Sequence, residues 1–151
     1  MNLTLKPDLR GKVAVVTGGA GVLCSEFVRA LAQCGAKVAI LNRTLSKGEA
    51  LAEEVRAAGG EAMAVSCNVT DTESVKAAHE AVLAAFGKCD ILINGAGGNN
   101  PRANTDKEYF ELGDMEAATK SFFDIDEEGF RFVMDLNFVG TLLPTQAFAQ
   151  D

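Results

Sequence analysis

The segment Val13-Ala14-Val15-Val16-Thr17-Gly18-Gly19-Ala20-Gly21-Val22-Leu23-Cys24 constrains the fold more than any other part of the chain. Apolar, mostly β-branched residues run into a glycine cluster and a helix-periodic stretch follows, so the segment reads as buried strand, tight turn and helix start. Glycines let the backbone turn sharply and approach a ligand without a Cβ. The free N–H groups and positive dipole end of the helix favour an anion. Such a turn suits the diphosphate of a dinucleotide, although a glycine turn of an α/β protein that binds nothing has the same composition. Cys24 stands where G-x-G-x-x-G would place its third glycine. That position serves close helix–sheet packing, which a small residue tolerates.

Beyond the turn, strands alternate with single helices. Leu23, Phe27, Val28, Leu31 and Cys34 fall at helical spacing with Gly35 as the stop, and Lys37 to Leu41 reads as the second strand. Ser46 and Glu49 have the spacing of a capping box for a helix running to about Ala58, ended by Gly59-Gly60. Ala62 to Ser66 is a third strand. Thr70 or Asp71 opens a helix with a buried stripe of Val75, Ala78, Val82, Ala85 and Phe86, closed by Gly87, and Asp90 to Asn94 is a fourth strand.

This alternation calls for a parallel sheet covered on both faces, and right-handed crossovers leave a Rossmann-type, doubly wound α/β fold. Ligand-facing residues then lie at the C-terminal ends of the strands. Gly18 to Leu23, Asn42-Arg43, Asn68-Val69 and Asn94 to Gly97 should therefore surround one crevice.

From Gly98 to about Ile125 the pattern gives way to a polar, charged stretch, expected to hold a short helix near Lys107 to Leu112 or to lie mobile over the site; a surface excursion without function has the same composition. Asp124 and Glu127 mark the next helix start. Phe130, Val133, Met134, Asn137, Phe138, Thr141, Leu142 and Thr145 share one face of it, and Pro144 should bend it.

The 151 residues, 48% apolar, fit one domain with a real core. A net charge of −7 without a basic stripe argues against nucleic acid. Apolar runs are short and Met1 to Arg10 has no signal-type core, so neither a membrane span nor export is expected and the setting reads as cytoplasmic. Cys24, Cys34, Cys67 and Cys89 are isolated, with only His79 beside them as a ligand type; they read as reduced packing residues and no metal site is expected. His79 itself reads as a surface or satisfied histidine.

Three motifs in register resemble the short-chain dehydrogenase/reductase family: Thr17-Gly18-x-x-x-x-Leu23 after strand one, Asn94-Gly95-Ala96-Gly97 after strand four, and Asn137-x-x-Gly140 in the last helix. Within the family, Asn94 to Pro101 and the long polar insertion look most like members described as D-mannonate oxidoreductases or fructuronate reductases. The resemblance implies that Gly18, Gly19, Gly21 and Leu23 hold the pyrophosphate and adenosine side of NAD(P). It further implies that Asn68 and Val69 frame the adenine, that Asn94, Gly95 and Ala96 line the path to the nicotinamide, and that Asn137 holds a water of the proton relay as the one catalytic residue present.

The sequence also departs from the family pattern. Val22 and Cys24 stand where glycines are usual, Asn68 where an aspartate is usual, and Gly95 where a second asparagine is common. At the end of strand two Asn42 replaces the usual acid and Arg43 follows. A carboxylate there would repel a 2′-phosphate and an arginine would attract it, so the cofactor reading is NADP or NAD with a lean to NADP.

The catalytic serine and Tyr-x-x-x-Lys pair that the resemblance calls for are not in these residues; Tyr109 is the sole tyrosine and Gly113 stands four positions on. The chain accordingly reads as the N-terminal portion, residues 1–151, of a single NAD(P)-binding domain whose C-terminal strands are missing. The expected reaction is hydride transfer between nicotinamide and a ketone or alcohol on a polyol or sugar acid, with Arg102 the best cation for an anionic substrate. A non-catalytic dinucleotide-binding or sensor module uses the same crevice, and a methyltransferase shares the glycine loop. Family members pair through the asparagine-bearing helix, which points to a homodimer or homotetramer with Phe132, Val139 and Leu143 facing outward.

Overall fold

The computed structural model describes residues 6–116 and 118–151; of the expected lead-in, Asn2 to Leu5 lie outside the described residues. Strands β1 (Val13–Thr17), β2 (Lys37–Asn42), β3 (Glu61–Ser66) and β4 (Ile91–Asn94) form one parallel sheet in the order β3-β2-β1-β4. Helices α1 (Val22–Gln33), α2 (Leu45–Ala57) and α3 (Thr72–Phe86) make the crossovers. The chain then runs through three short 3₁₀ turns into α4 (Glu127–Met134), a π-helical turn at Asp135–Val139, and α5 (Gly140–Phe148).

β1 and the centre of β2 are buried throughout, and alternate residues feed different cores. Ala14, Val16, Val38 and Ile40 pack beneath α1 and α2 with Val28, Leu51 and Val55. Val13, Val15, Ala39 and Leu41 pack on the opposite face with Val75, Ala78, Val82 and Phe148. Two-sided burial is why these strands read as unbroken apolar runs. Each such valine contributes roughly 1.5–3 kcal/mol by leaving water.

Helix starts and stops follow side-chain chemistry. The Asp71 carboxylate accepts from Ser74 N–H at 2.6 Å and opens α3. Gly87, with φ +93°, closes it in a conformation L-residues avoid. The Ser46–Glu49 capping box does not form. α2 starts one residue before Ser46, with Thr44 as its N-cap and no side-chain cap, because Asn42 Nδ2 donates to Thr44 O at 2.9 Å and sets the turn out of β2.

α1 buries Cys24 and Val28, while Leu23 and Phe27 are 74% and 47% exposed, so the packing stripe is narrower than the apolar spacing implies. In the insertion no helix forms at Lys107 to Leu112. Thr105 Oγ1 donates to Lys107 O, and Lys107 Nζ reaches Asp114 at 2.6 Å, so a 3₁₀ turn starts only at Leu112, where Glu111 and Asp114 make a capping box. Asp106 and Lys120 tie the insertion's arms through Asp106 N–H to Lys120 O (2.9 Å) and Lys120 N–H to Asp106 Oδ2 (2.8 Å).

The last helix breaks its pattern before Pro144. Gly140 N–H donates to Asp135 O, five residues back, closing the π turn. One extra residue in a turn rotates everything beyond it by about 100°. Beyond the turn Leu143, Ala147 and Phe148 accordingly pack on the sheet side while Leu142 stays exposed; Leu136 also packs inward, and Phe130 and Phe138 are exposed. Leu143 is thus half-buried against the sheet-side core.

Candidate functional site

At the C-terminal ends of the strands the turn after β1 and the loop after β4 interlock. Thr17, completely buried, accepts through Oγ1 from both Gly95 N–H and Ala96 N–H at 3.1 Å. Gly18 takes φ +62°, and a Cβ on it would come within 2.9 Å of Ala96 N and Cα, so only glycine serves there. Gly19 is buried and its N–H donates to Leu41 O at 3.3 Å, which makes it a builder of the turn from beneath. Gly21 is the N-cap of α1, its own N–H donated to Gly18 O at 2.8 Å.

No side chain caps α1 and no acidic residue sits in its first turn, in contrast to α3 and α4, which aspartates cap. The first-turn N–H groups, with the exposed Leu23 beside them, are therefore open to an anion. This glycine cradle and uncapped helix start fit a dinucleotide diphosphate.

Gly18, Asn42, Arg43, Asn68, Val69 and Ala96 come together around one cavity of about 200 Å³, completed by Cys67, Gly97, Phe132 and Leu136. An adjoining cavity of about 350 Å³ shares Arg43, Asn68, Phe132 and Leu136, and adds Thr70, Asp135 and Val139. Asn42 spends its amide N–H on the Thr44 carbonyl, leaving its oxygen as an acceptor. Arg43 is exposed and makes no ion pair among the described residues.

Asn68 Oδ1 accepts from Thr70 N–H and Oγ1 while its own N–H donates to Ser74 Oγ, which fixes the β3 exit. Val69 is buried against Gly140, whose missing Cβ makes room for the valine. Burial pushes the Cys67 thiol beneath the cavity up to about 11, so it stays neutral.

Asn94 lies elsewhere: its Nδ2 donates to Thr145 Oγ1 at 2.9 Å, joining β4 to α5. Asn137 holds the Gly98 peptide from both sides, accepting its N–H at 3.2 Å and donating to its carbonyl at 2.8 Å, with a further bond to Val133 O. Arg102 is neutralised by Asp126 (2.7 Å) and Glu128 (2.9 Å), so it offers no free charge to an anionic substrate. Tyr109 is 75% exposed on the insertion.

His79 is satisfied by Asp151 at 2.9 Å and packs edge-on against Phe148, and all four cysteines are free, Cys24 and Cys67 buried. Sequence reasoning missed Thr17 as the hinge of the two loops and Phe132 as a crevice wall. The first had a signal, a threonine ending an otherwise apolar strand; the second sits on a helix outside the strand ends. Among the described residues no helix is long and apolar enough to cross a membrane.

Residues 12–151 match the sequence profile of short chain dehydrogenases. The chain belongs to that family. An uncharacterized oxidoreductase of Haemophilus influenzae is 43% identical over 151 residues, covering 100% of this chain and 53% of the relative. An uncharacterized oxidoreductase of Bacillus subtilis, UxuB, is 51% identical over 150 residues, 99% of this chain and 52% of its own. Among solved structures, a candidate D-mannonate oxidoreductase of Haemophilus with bound NAD superimposes with a TM-score of 0.90 at 43% identity, covering 96% of this chain and 51% of that one. A NAD⁺-bound xylitol dehydrogenase reaches a TM-score of 0.76 at 26% identity, covering 94% of this chain and 48% of its own. The chain spans about half the length of the two uncharacterized oxidoreductases.

Proposed function

We propose that these residues are the N-terminal portion of a single NAD(P)-binding domain, the dinucleotide-binding half of an oxidoreductase that acts on a ketone or alcohol of a polyol or sugar acid. The observation that carries this reading is the crevice itself: Gly18 of the glycine turn and the exits of β2, β3 and β4 line one cavity, and the uncapped start of α1 follows that turn directly. Gly18, Gly21 and the first-turn amides of α1 would hold the diphosphate. Leu23, Asn42, Asn68 and Val69 would take the adenosine side, with Gly19 supporting the turn from below and Gly95 and Ala96 bordering the nicotinamide side. Asn94 acts on that border through the β4–α5 contact. When bound, the nicotinamide supplies or accepts a hydride at its C4.

Asn137 holds Gly98, and in this reading Asn137 also holds a water of the proton relay. Arg43 gives the 2′-phosphate a cation, which favours NADP, while the Haemophilus structure holds NAD. D-Mannonate or fructuronate is the substrate we put forward, on the likeness to that same Haemophilus protein. A cytoplasmic homodimer or homotetramer of the full polypeptide completes the reading.

Calorimetric titration of the full natural polypeptide with NADPH and NADH, followed by fructuronate reduction, tests it. Binding with turnover supports the proposal; binding without reduction of any ketone points to a sensor module; no binding of either dinucleotide overturns it.

A further inference from the structure

We infer that Cys24 is a positioning residue for the cofactor crevice, its sulfur matched to the bare Cα of Gly95 so that position 95 cannot gain a side chain while Cys24 stays. The inference rests on the dinucleotide reading above but on separate geometry. Cys24 lies in the first turn of α1 and is buried, with its Sγ 3.8 Å from the Gly95 carbonyl oxygen. A Cβ built on Gly95 would overlap that sulfur outright, whereas it would lie 3.6 Å from the Cys24 Cβ, an ordinary contact. The sulfur therefore occupies the volume that any side chain at position 95 would need.

Gly95 is also held from the other side, its N–H on Thr17 Oγ1. The thiol and the threonine together hold Gly95 of the β4 loop, through the peptide units on either side of it, against the β1–α1 turn. Both segments border the crevice, so the thickness of the residue at position 24 sets how closely they approach. A side chain at position 95 would push the β4 loop away from the helix start, and Ala96, which lines the cavity and whose N–H shares the same hydroxyl, would move with it.

The test is a double-mutant cycle in the full natural polypeptide: Gly95→Ala, Cys24→Ala and both together, reading the NADH dissociation constant and the urea midpoint of each. Gly95→Ala alone is expected to weaken NADH binding by about tenfold or more, and Cys24→Ala alone by less than about threefold. In the Cys24→Ala background the effect of Gly95→Ala should shrink at least about fivefold, a partial rescue because the 2.9 Å approach of the new Cβ to Thr17 O remains. A KM for the carbonyl substrate that stays constant while that for NADH moves separates positioning of the cofactor from general loosening. Equal effects of Gly95→Ala in both backgrounds, in binding and in urea midpoint, would overturn the inference. If the unaltered protein binds no dinucleotide, the proposed function fails, and coupling in the urea midpoints alone still decides whether the two positions are matched.

Discussion

The side-chain amide of Asn137 is paired in both directions with the peptide of Gly98, accepting its N–H and donating to its carbonyl. A Cβ on the neighbouring Gly97 would come within 2.8 Å of the same amide oxygen. The helix after the insertion is thereby joined to the loop after β4, so Asn137 has a structural role before any catalytic one. Asn137→Ala should cost about 0.5–1.5 kcal/mol, because the exposed Gly98 groups exchange these bonds for water. Asn137→Asp should cost at least as much at neutral pH, because a carboxylate accepts from the N–H but faces the Gly98 and Val133 carbonyls with no donor. Urea unfolding of the two variants checks the order.

Thr17→Val keeps the shape of a fully buried side chain and removes the acceptor shared by Gly95 and Ala96. Two loop N–H groups lose their side-chain partner, so a loss of about 1–3 kcal/mol in unfolding free energy is expected, with weaker NADH binding. Thr17→Ser, which retains the hydroxyl, should recover most of the binding. The measurements are urea midpoints and NADH titrations side by side.

Arg43→Ala should lower affinity for NADPH by about tenfold and leave NADH within about threefold, since only the former carries a 2′-phosphate. Asn42→Asp should act in the same direction by adding a negative charge beside it. Tighter binding of NADH than NADPH by the unaltered protein would show that Arg43 remains in solvent and that Asn42 serves NAD.

Asp90 ties the start of β4 to the start of β1 through Lys12 Nζ at 2.7 Å and the Val13 N–H at 2.9 Å, and the bond from Lys12 holds its carboxyl below the ordinary value. The folded state thus prefers the ionised form. Its stabilisation is complete above the usual carboxylate range and is lost as pH falls through the lowered folded value. The urea-midpoint difference between the unaltered protein and Asp90→Asn should be largest near neutral pH and close as pH falls below the ordinary carboxylate range.

Arg102→Ala should change stability by less than about 1 kcal/mol, because its two carboxylate partners are exposed ion pairs. The apparent affinity for a sugar acid should also hold, since the guanidinium is already engaged. A severalfold rise in substrate KM would show that Arg102 leaves Asp126 and Glu128 when substrate arrives.

The sequence by itself determined the strand–helix alternation, the parallel sheet and the set of strand exits that meet at the crevice. Val13 to Thr17 and Lys37 to Leu41 carry that information because two-sided burial demands unbroken apolar runs, and Gly35, Gly59 and Gly87 because positive φ admits little else. Only the tertiary structure decided which exits point inward. Asn94 turns to Thr145, Arg102 is claimed by carboxylates from the following helix, and Phe132 enters as a wall. The π turn at Asp135–Val139 rotates the last helix, so its apolar spacing no longer reports its buried face. Contacts of that kind join residues tens of positions apart, and local periodicity carries no term for them.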